Sequence, residues 1–193
     1  MITNISKYNI ILASGSPRRQ QFLKDLDIPF SVELKSIDEQ FPSTLKAKQI
    51  AEYLAKAKAE VFTDLGSKDI LITADTIVWH NESALNKPSH RKEAFAMIKA
   101  LQDDCHEVIS AFCIKTKTQC ILKSSTTKVY VEALSDDEIW YYIDTYKPYD
   151  KAGAYGIQEW IGKVGISKID GCFYNVMGLP TQLFYKTLNT LIT

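Results

Sequence analysis

Between residues 9 and 101 the chain repeats one pattern three times: a short apolar run of strand type, then a longer run with helical periodicity. The pattern predicts strands at 9–13, 29–34 and 70–78 and helices at 17–26, 46–64 and 90–101. Such alternation belongs to α/β chains, where each helix covers a face of the sheet built by the strands around it. The pattern then breaks. His106–Lys115 and Gln119–Ala133 have the character of two long strands joined by a turn at Lys115–Thr118. A helix over 135–145 follows, opened by Ser135 with Glu138 three residues on, the spacing of a capping box. A glycine-punctuated stretch, 152–178, leads to a last helix near 181–191. The expectation is α/β with a mixed, twisted β-sheet flanked by helices, since a hairpin of long strands adds antiparallel pairing to the parallel units. No linker rich in Pro, Gly or Ser divides the 193 residues. One domain over 1–193 is expected, with two lobes sharing a core around a central cleft.

Formal net charge is zero, which argues against a nucleic-acid polymer as partner, because such binders need a basic face. A small anion needs only a local positive cluster. No long apolar stretch suggests a signal peptide or a membrane span, so no membrane partner and a cytoplasmic location are expected. Four cysteines (Cys105, Cys113, Cys120, Cys172) form no CxxC pair, and their apolar neighbours predict buried thiols in a reducing compartment. His80, His90 and His106 have neither metal nor triad spacing and are expected to be non-catalytic. The absence of Walker A, GxGxxG and GxSxG patterns argues against kinase, dehydrogenase and hydrolase-elbow chemistry.

Ser14-Gly15-Ser16-Pro17-Arg18-Arg19 closes the first strand and opens the first helix. Pro17 suits the first helical position and Ser16 the cap, which puts both arginines in the first turn. A bare helix N-terminus carries about half a positive charge, so cations there destabilise it unless an anion joins them. Open N–H groups, hydroxyls and guanidinium groups would converge on a phosphate. The alternative is that both arginines point into solvent. Asp75 stands in the otherwise apolar Ile70–Val78, where a carboxylate is costly to bury without a metal, a cation or a water. Asp38-Glu39, in a loop after the second strand, could add oxygen ligands, and oxygen donors without His or Cys point to Mg²⁺ or Mn²⁺. On the helix 46–64 a buried stripe is expected at Ile50, Leu54, Ala57, Val61 and Leu65. Lys58 then lies at the stripe's margin and reaches a cleft, whereas Lys56 faces water. Lys87, fixed by Pro88, could return across a turn at His80–Ser83 to Asp75. The aromatic cluster Trp140, Tyr141, Tyr142, Tyr146 and Tyr149 is expected to serve core and interface packing.

From Leu12 nearly to the C-terminus the chain resembles the Maf family of nucleoside triphosphate pyrophosphatases. The motifs are Leu-Ala-Ser-Gly-Ser-Pro-Arg-Arg (12–19), Ala-Asp-Thr (74–76), Lys-Pro (87–88), Asp-Lys-Ala-Gly-Ala-Tyr-Gly-Ile-Gln (150–158) and Asn-Val-Met-Gly-Leu-Pro (175–180). The resemblance implies a Maf/ITPase-like fold and hydrolysis of a nucleoside triphosphate to monophosphate and pyrophosphate with a divalent cation. It implies Asp75 as proton acceptor and Ser14, Arg19, Glu39, Lys58 and Lys87 as phosphate- and metal-handling residues, with Glu39 and Asp75 at the metal. Arg18, Thr76 and Gln158 are similar to the selectivity positions of the branch acting on dTTP and UTP. The role implied is house-cleaning, with modified pyrimidine nucleotides as further substrates and a homodimer as the assembly. Two departures stand out: Asn86 before Lys87, and Glu159-Trp160 in place of a small, glycine-rich continuation after Gln158. The second bears on the wall of the base pocket or on the dimer surface. Competing expectations are a sanitiser of noncanonical purine triphosphates and a nucleotide-binding regulator of cell division.

Overall fold

A computed structural model describes residues 2–193. Its centre is a seven-stranded sheet. In chain order the first elements are β1 (Asn9–Leu12), α1 (Pro17–Asp25), β2 (Ser31–Val32), α2 (Lys48–Glu60), β3 (Asp69–His80), β4 (Ser83–Leu85) and α3 (Arg91–Leu101). The hairpin β5 (Asp104–Lys115) and β6 (Cys120–Val131) follows, then α4 (Asp136–Tyr146), α5 (Trp160–Val164), β7 (Ile166–Asp170), α6 (Phe173–Val176) and α7 (Thr181–Ile192). The strand order is β2-β1-β3-β5-β6-β7, with β4 paired to β3. β1 pairs parallel with β2 and β3, and the other pairings are antiparallel, so the sheet is mixed as the sequence predicts.

Helices cover both faces, which is why β3 is almost wholly buried rather than alternating. Ile70, Ile72 and Ala74 pack with Phe22 and Leu23 of α1 and Phe184 and Leu188 of α7. Leu71 and Ile77, on the other face, pack against α2. The capping box of α4 forms as expected, with Ser135 and Glu138 bonded reciprocally.

Several expectations need correction. The strand predicted over 29–34 shrinks to Ser31–Val32, exposed at the sheet edge with β1 as its one partner. The helix predicted over 46–64 is shorter because Ala47 adopts φ 44°, outside the helical region, and the chain leaves the helix at Val61. Its buried face is Ile50, Ala51, Leu54, Ala55 and Ala59, and Val61 and Leu65 lie beyond its end. Of the cysteines only Cys113 is buried. Cys105 and Cys172 are half-buried and Cys120 is exposed, with its Sγ 2.7 Å from that of Cys113 across the hairpin. Tyr142 is buried and Trp140 stacks on Phe95, but Tyr141, Tyr146 and Tyr149 are exposed. The stretch 152–178, unassigned from sequence, holds α5, β7 and α6.

Each histidine has a structural partner: His80 with Asp104, His90 capping α3, and His106 with Tyr155. Burial, reinforced by the charge of His80 and opposed by Asp104, lowers the pKa of His106 to about 4. The unfolded chain therefore binds the extra proton at higher pH than the folded one. His106 contributes its full stability above the unfolded value and loses it as pH falls from about 6.5 towards 4, up to about 3 kcal/mol. Urea unfolding between pH 7 and pH 4.5 should show this slope, and a His106→Gln variant should flatten it.

Candidate active site

β1 ends before β3 does. The two pair from Asn9↔Asp69 to Leu12↔Ile72, and Ala13 N makes a last bond to Ile72 O at 2.8 Å. The next carbonyl on that edge, Ala74 O, lies past the end of β1 and accepts Arg19 Nη1 at 2.9 Å instead. Arg19 also donates to Gly178 O (2.9 Å), Ser14 Oγ (3.3 Å) and Thr76 Oγ1 (3.0 Å). Of its five N–H groups, four thus go to protein acceptors. The side chain expected to clamp phosphate instead joins β3, the Ser14 loop and the Gly178 turn, with one N–H left for a ligand. Burial pulls its pKa down, and the Asp75 carboxylate opposes that shift.

Around this joint the other expected residues fall into two groups. Asp75 is buried on the face turned to α2, as is Thr73, whose hydroxyl bonds Ala55 O of that helix at 2.6 Å. Lys58 rises from α2 and sets its Nζ 2.6 Å from Asp75 Oδ1 and 2.7 Å from Glu39 Oε1. Burial pushes the Glu39 carboxyl up, but the hydrogen bond and charge of Lys58, with Lys87 and Arg19 behind, hold it below its ordinary value. The paired candidates Asp38 and Glu39 separate: Asp38 Oδ1 accepts the Gln40 amide at 3.1 Å within its own loop. Lys56 points to solvent and pairs with Glu60.

The second group lies across the cleft. Thr76, one residue beyond Asp75, faces the opposite side of the sheet and meets Ser110 Oγ at 2.8 Å. Arg18 does not splay into solvent; its Nη1 lies 3.2 Å from Asp150 Oδ2. Ser16 caps α1 in position only, its hydroxyl making no capping bond, so the first-turn amides have no side-chain acceptor.

All nine expected site residues (Ser14, Arg18, Arg19, Glu39, Lys58, Asp75, Thr76, Lys87 and Gln158) line one cleft of about 620 Å³. Six Lys and Arg side chains line it against three acidic ones, which gives a neutral chain a local positive field. Sequence reasoning missed Lys35 and Lys151, both in the lining. Lys151 stands inside the 150–158 motif, which points to the segment without giving this residue a role. Lys35 had none, since its place depends on stacking over Phe62 from another element.

The two carboxylates converge on one cation, Lys58, and their oxygen-only donor set suits Mg²⁺ or Mn²⁺. Among the described residues no group of three or more His, Cys, Asp or Glu forms a metal cage. Two carboxylates alone would leave most of a divalent cation's shell to other oxygens.

Fold and site together define an α/β protein with a positively lined cleft beside paired carboxylates. The chain belongs to the Maf family: the model for the Maf-like proteins matches residues 9–191. It is 53% identical over 189 residues to a dTTP/UTP pyrophosphatase of Flavobacterium johnsoniae, covering 97% of each chain. It is 50% identical to a dTTP/UTP pyrophosphatase of Parabacteroides distasonis, covering 97% of this chain and 98% of the relative. Among solved structures, a HAM1 protein from Coxiella burnetii matches with a TM-score of 0.49 and 12% identity, over 96% of this chain and 98% of that one.

Removing the Lys58 charge leaves two carboxylates facing each other. Lys58→Met should destabilise the fold by about 3 kcal/mol. Lys56→Ala, which removes an exposed pair, should change stability by less than about 0.5 kcal/mol. Urea denaturation of both variants checks the contrast.

Proposed function

We propose that this chain is a pyrophosphatase that hydrolyses dTTP and UTP to the monophosphate and pyrophosphate, in a house-cleaning role in the cytoplasm. The observation that carries the reading is the Asp75–Lys58–Glu39 cluster opening into a positively lined cleft. The names of relatives at about half identity over nearly the whole chain support the same substrates.

In this reading the triphosphate enters against Ser14, the first-turn amides of α1, and the ammonium groups of Lys58 and Lys87. Arg19 contributes its field and one N–H, and its main task is to hold Ser14 and Thr76 in place. Lys58 is bonded to Asp75 Oδ1, and the Asp75 carboxylate is the group that orients a water and takes its proton. The water oxygen bonds to the α-phosphorus, and the bond from that phosphorus to the α,β-bridging oxygen breaks, releasing pyrophosphate. Glu39 and Asp75 would hold a divalent cation, which supplies neutralisation of the charge gathering on the leaving group. Most of the acceleration comes from positioning and fixed charge, as in phosphoryl transfer generally. The Gln158 amide offers one donor and one acceptor side, matching the edge of uracil or thymine, while Arg18 and Thr76 shape the rest of the base pocket.

A pyrophosphate-release assay over a nucleotide panel, with and without Mg²⁺, tests the reading. UTP and dTTP should lead the panel, and chelation should abolish turnover. Asp75→Asn should lower kcat by roughly 10² to 10⁴ while nucleotide still binds; near-normal turnover would refute its role as base. Gln158→Glu should reduce kcat/KM for UTP and dTTP more than for other triphosphates, and an equal loss across the panel would remove Gln158 from base selection.

A further inference from the structure

The segment from Asp150 to Gln158 forms one wall of the cleft. Two contacts tie it to its surroundings: Gly153 N donates to Asn86 O at 3.2 Å, and Tyr155 OH meets His106 Nε2 at 2.7 Å. A third attachment is ionic and buried. The Lys151 side chain is 9% exposed, and its Nζ lies 2.7 Å from Asp150 Oδ1 and 3.2 Å from Glu159 Oε1. Glu159 Oε2 accepts a hydrogen bond from Tyr142 OH, which in turn accepts the Gly156 amide at 2.9 Å.

Glu159 therefore sits where the wall meets a rigid support. Tyr142 is fully buried in the core between α3 and α4, so its hydroxyl is a fixed point. The Glu159 carboxyl also lies over Gly156: a Cβ there would fall 2.8 Å from Glu159 Cδ and 3.1 Å from Gln158 Nε2. One glycine is thus flanked by the Glu159 carboxyl and the Gln158 amide, and any larger residue would displace one of them.

Charge balance links the same network to Arg18. A buried ammonium needs compensating carboxylates. Lys151 has two, and one of them, Asp150, also bonds Arg18 at 3.2 Å. If Glu159 is neutralised, Asp150 is left as the one carboxylate that balances both Lys151, at Oδ1, and Arg18, at Oδ2. Among the described residues no hydrogen bond or ion pair joins this network to Asp75, Lys58 or Glu39.

We propose that Glu159 is a positioning residue for base recognition: through Tyr142 and Lys151 it fixes Gln158 and the Arg18–Asp150 pair, and it leaves the phosphate-handling half of the cleft untouched. This rests on the assignment of Arg18 and Gln158 to base selection made above. It gives the departure at Glu159 a function, because a glycine there could reach neither Tyr142 nor Lys151.

The test compares two probes on the full chain with Mg²⁺ by calorimetry: α,β-methylene-UTP, which carries a base, and inorganic triphosphate, which does not. Glu159→Gln should weaken the nucleotide analogue about tenfold and leave triphosphate within about twofold. In turnover, KM for UTP should rise while kcat holds within about threefold. Equal weakening of both probes, which a general loosening of the fold would produce, overturns the proposal, as does no change in either. Tyr142→Phe keeps the ring in its core seat and removes the hydroxyl, so it must repeat the pattern even if Glu159→Gln fails to fold. A wild-type protein that binds the analogue without releasing pyrophosphate from UTP would refute the activity and not the positioning role, which the two binding constants judge alone.

Discussion

The Arg19 guanidinium takes the place of a missing strand. β1 ends at Leu12, β3 continues, and the carbonyl of Ala74 would be left without a partner inside the molecule. A buried unpaired carbonyl costs about 1–3 kcal/mol, so something must satisfy it. Arg19 does so from the first turn of α1 and, with its other N–H groups, captures Ser14, Thr76 and Gly178. This single planar cation fixes the distance between the strand that carries Asp75 and the loop that offers Ser14. A lysine could not replace it, because an ammonium cannot reach acceptors spread around a planar fork.

The pleat of β3 then divides the labour. Side chains alternate across a sheet, so neighbours in sequence face opposite ways. Asp75 turns to α2 and meets Lys58, while Thr76 turns to Arg19 and Ser110. Two adjacent residues thereby serve separate halves of one cleft. The half at Asp75 holds both carboxylates and their shared cation. The half beyond Thr76 runs through Arg18 to the 150–158 wall, where Lys151 and Glu159 form their own buried charge balance.

Much of the fold was legible where the signal is local. The capping box at Ser135 and Glu138, the proline at the start of α1 and the apolar run of β3 each announce themselves within a few residues. Lys58 was found for partly mistaken reasons. The expected stripe through Val61 and Leu65 lies beyond the helix, and the buried face runs through Ala51, Ala55 and Ala59 instead. Alanine hides a buried face from a reading that follows large side chains. The short strand β2 was overestimated because an edge strand takes its length from its partner, and β1 offers only two residues of pairing. β7 went unseen since its residues, Ile166–Asp170, are largely exposed and carry no alternating apolar signal.

The sequence by itself determined the α/β class, nine of the residues that line the cleft and the family, because helix caps, strand composition and motif spacing are properties of neighbouring residues. What only the tertiary structure decided is how the charges are shared. Arg19 satisfies Ala74, 55 residues away, and Gly178, 159 away; Asp150 is divided between its neighbour Lys151 and Arg18, 132 residues away. An ion's role depends on which partners lie within about 3 Å and how far water is excluded, and both are set by elements distant in the chain. Two adjacent arginines that look alike in sequence therefore end in different places, one as a strut across the broken strand pair and the other as an arm towards the 150–158 wall.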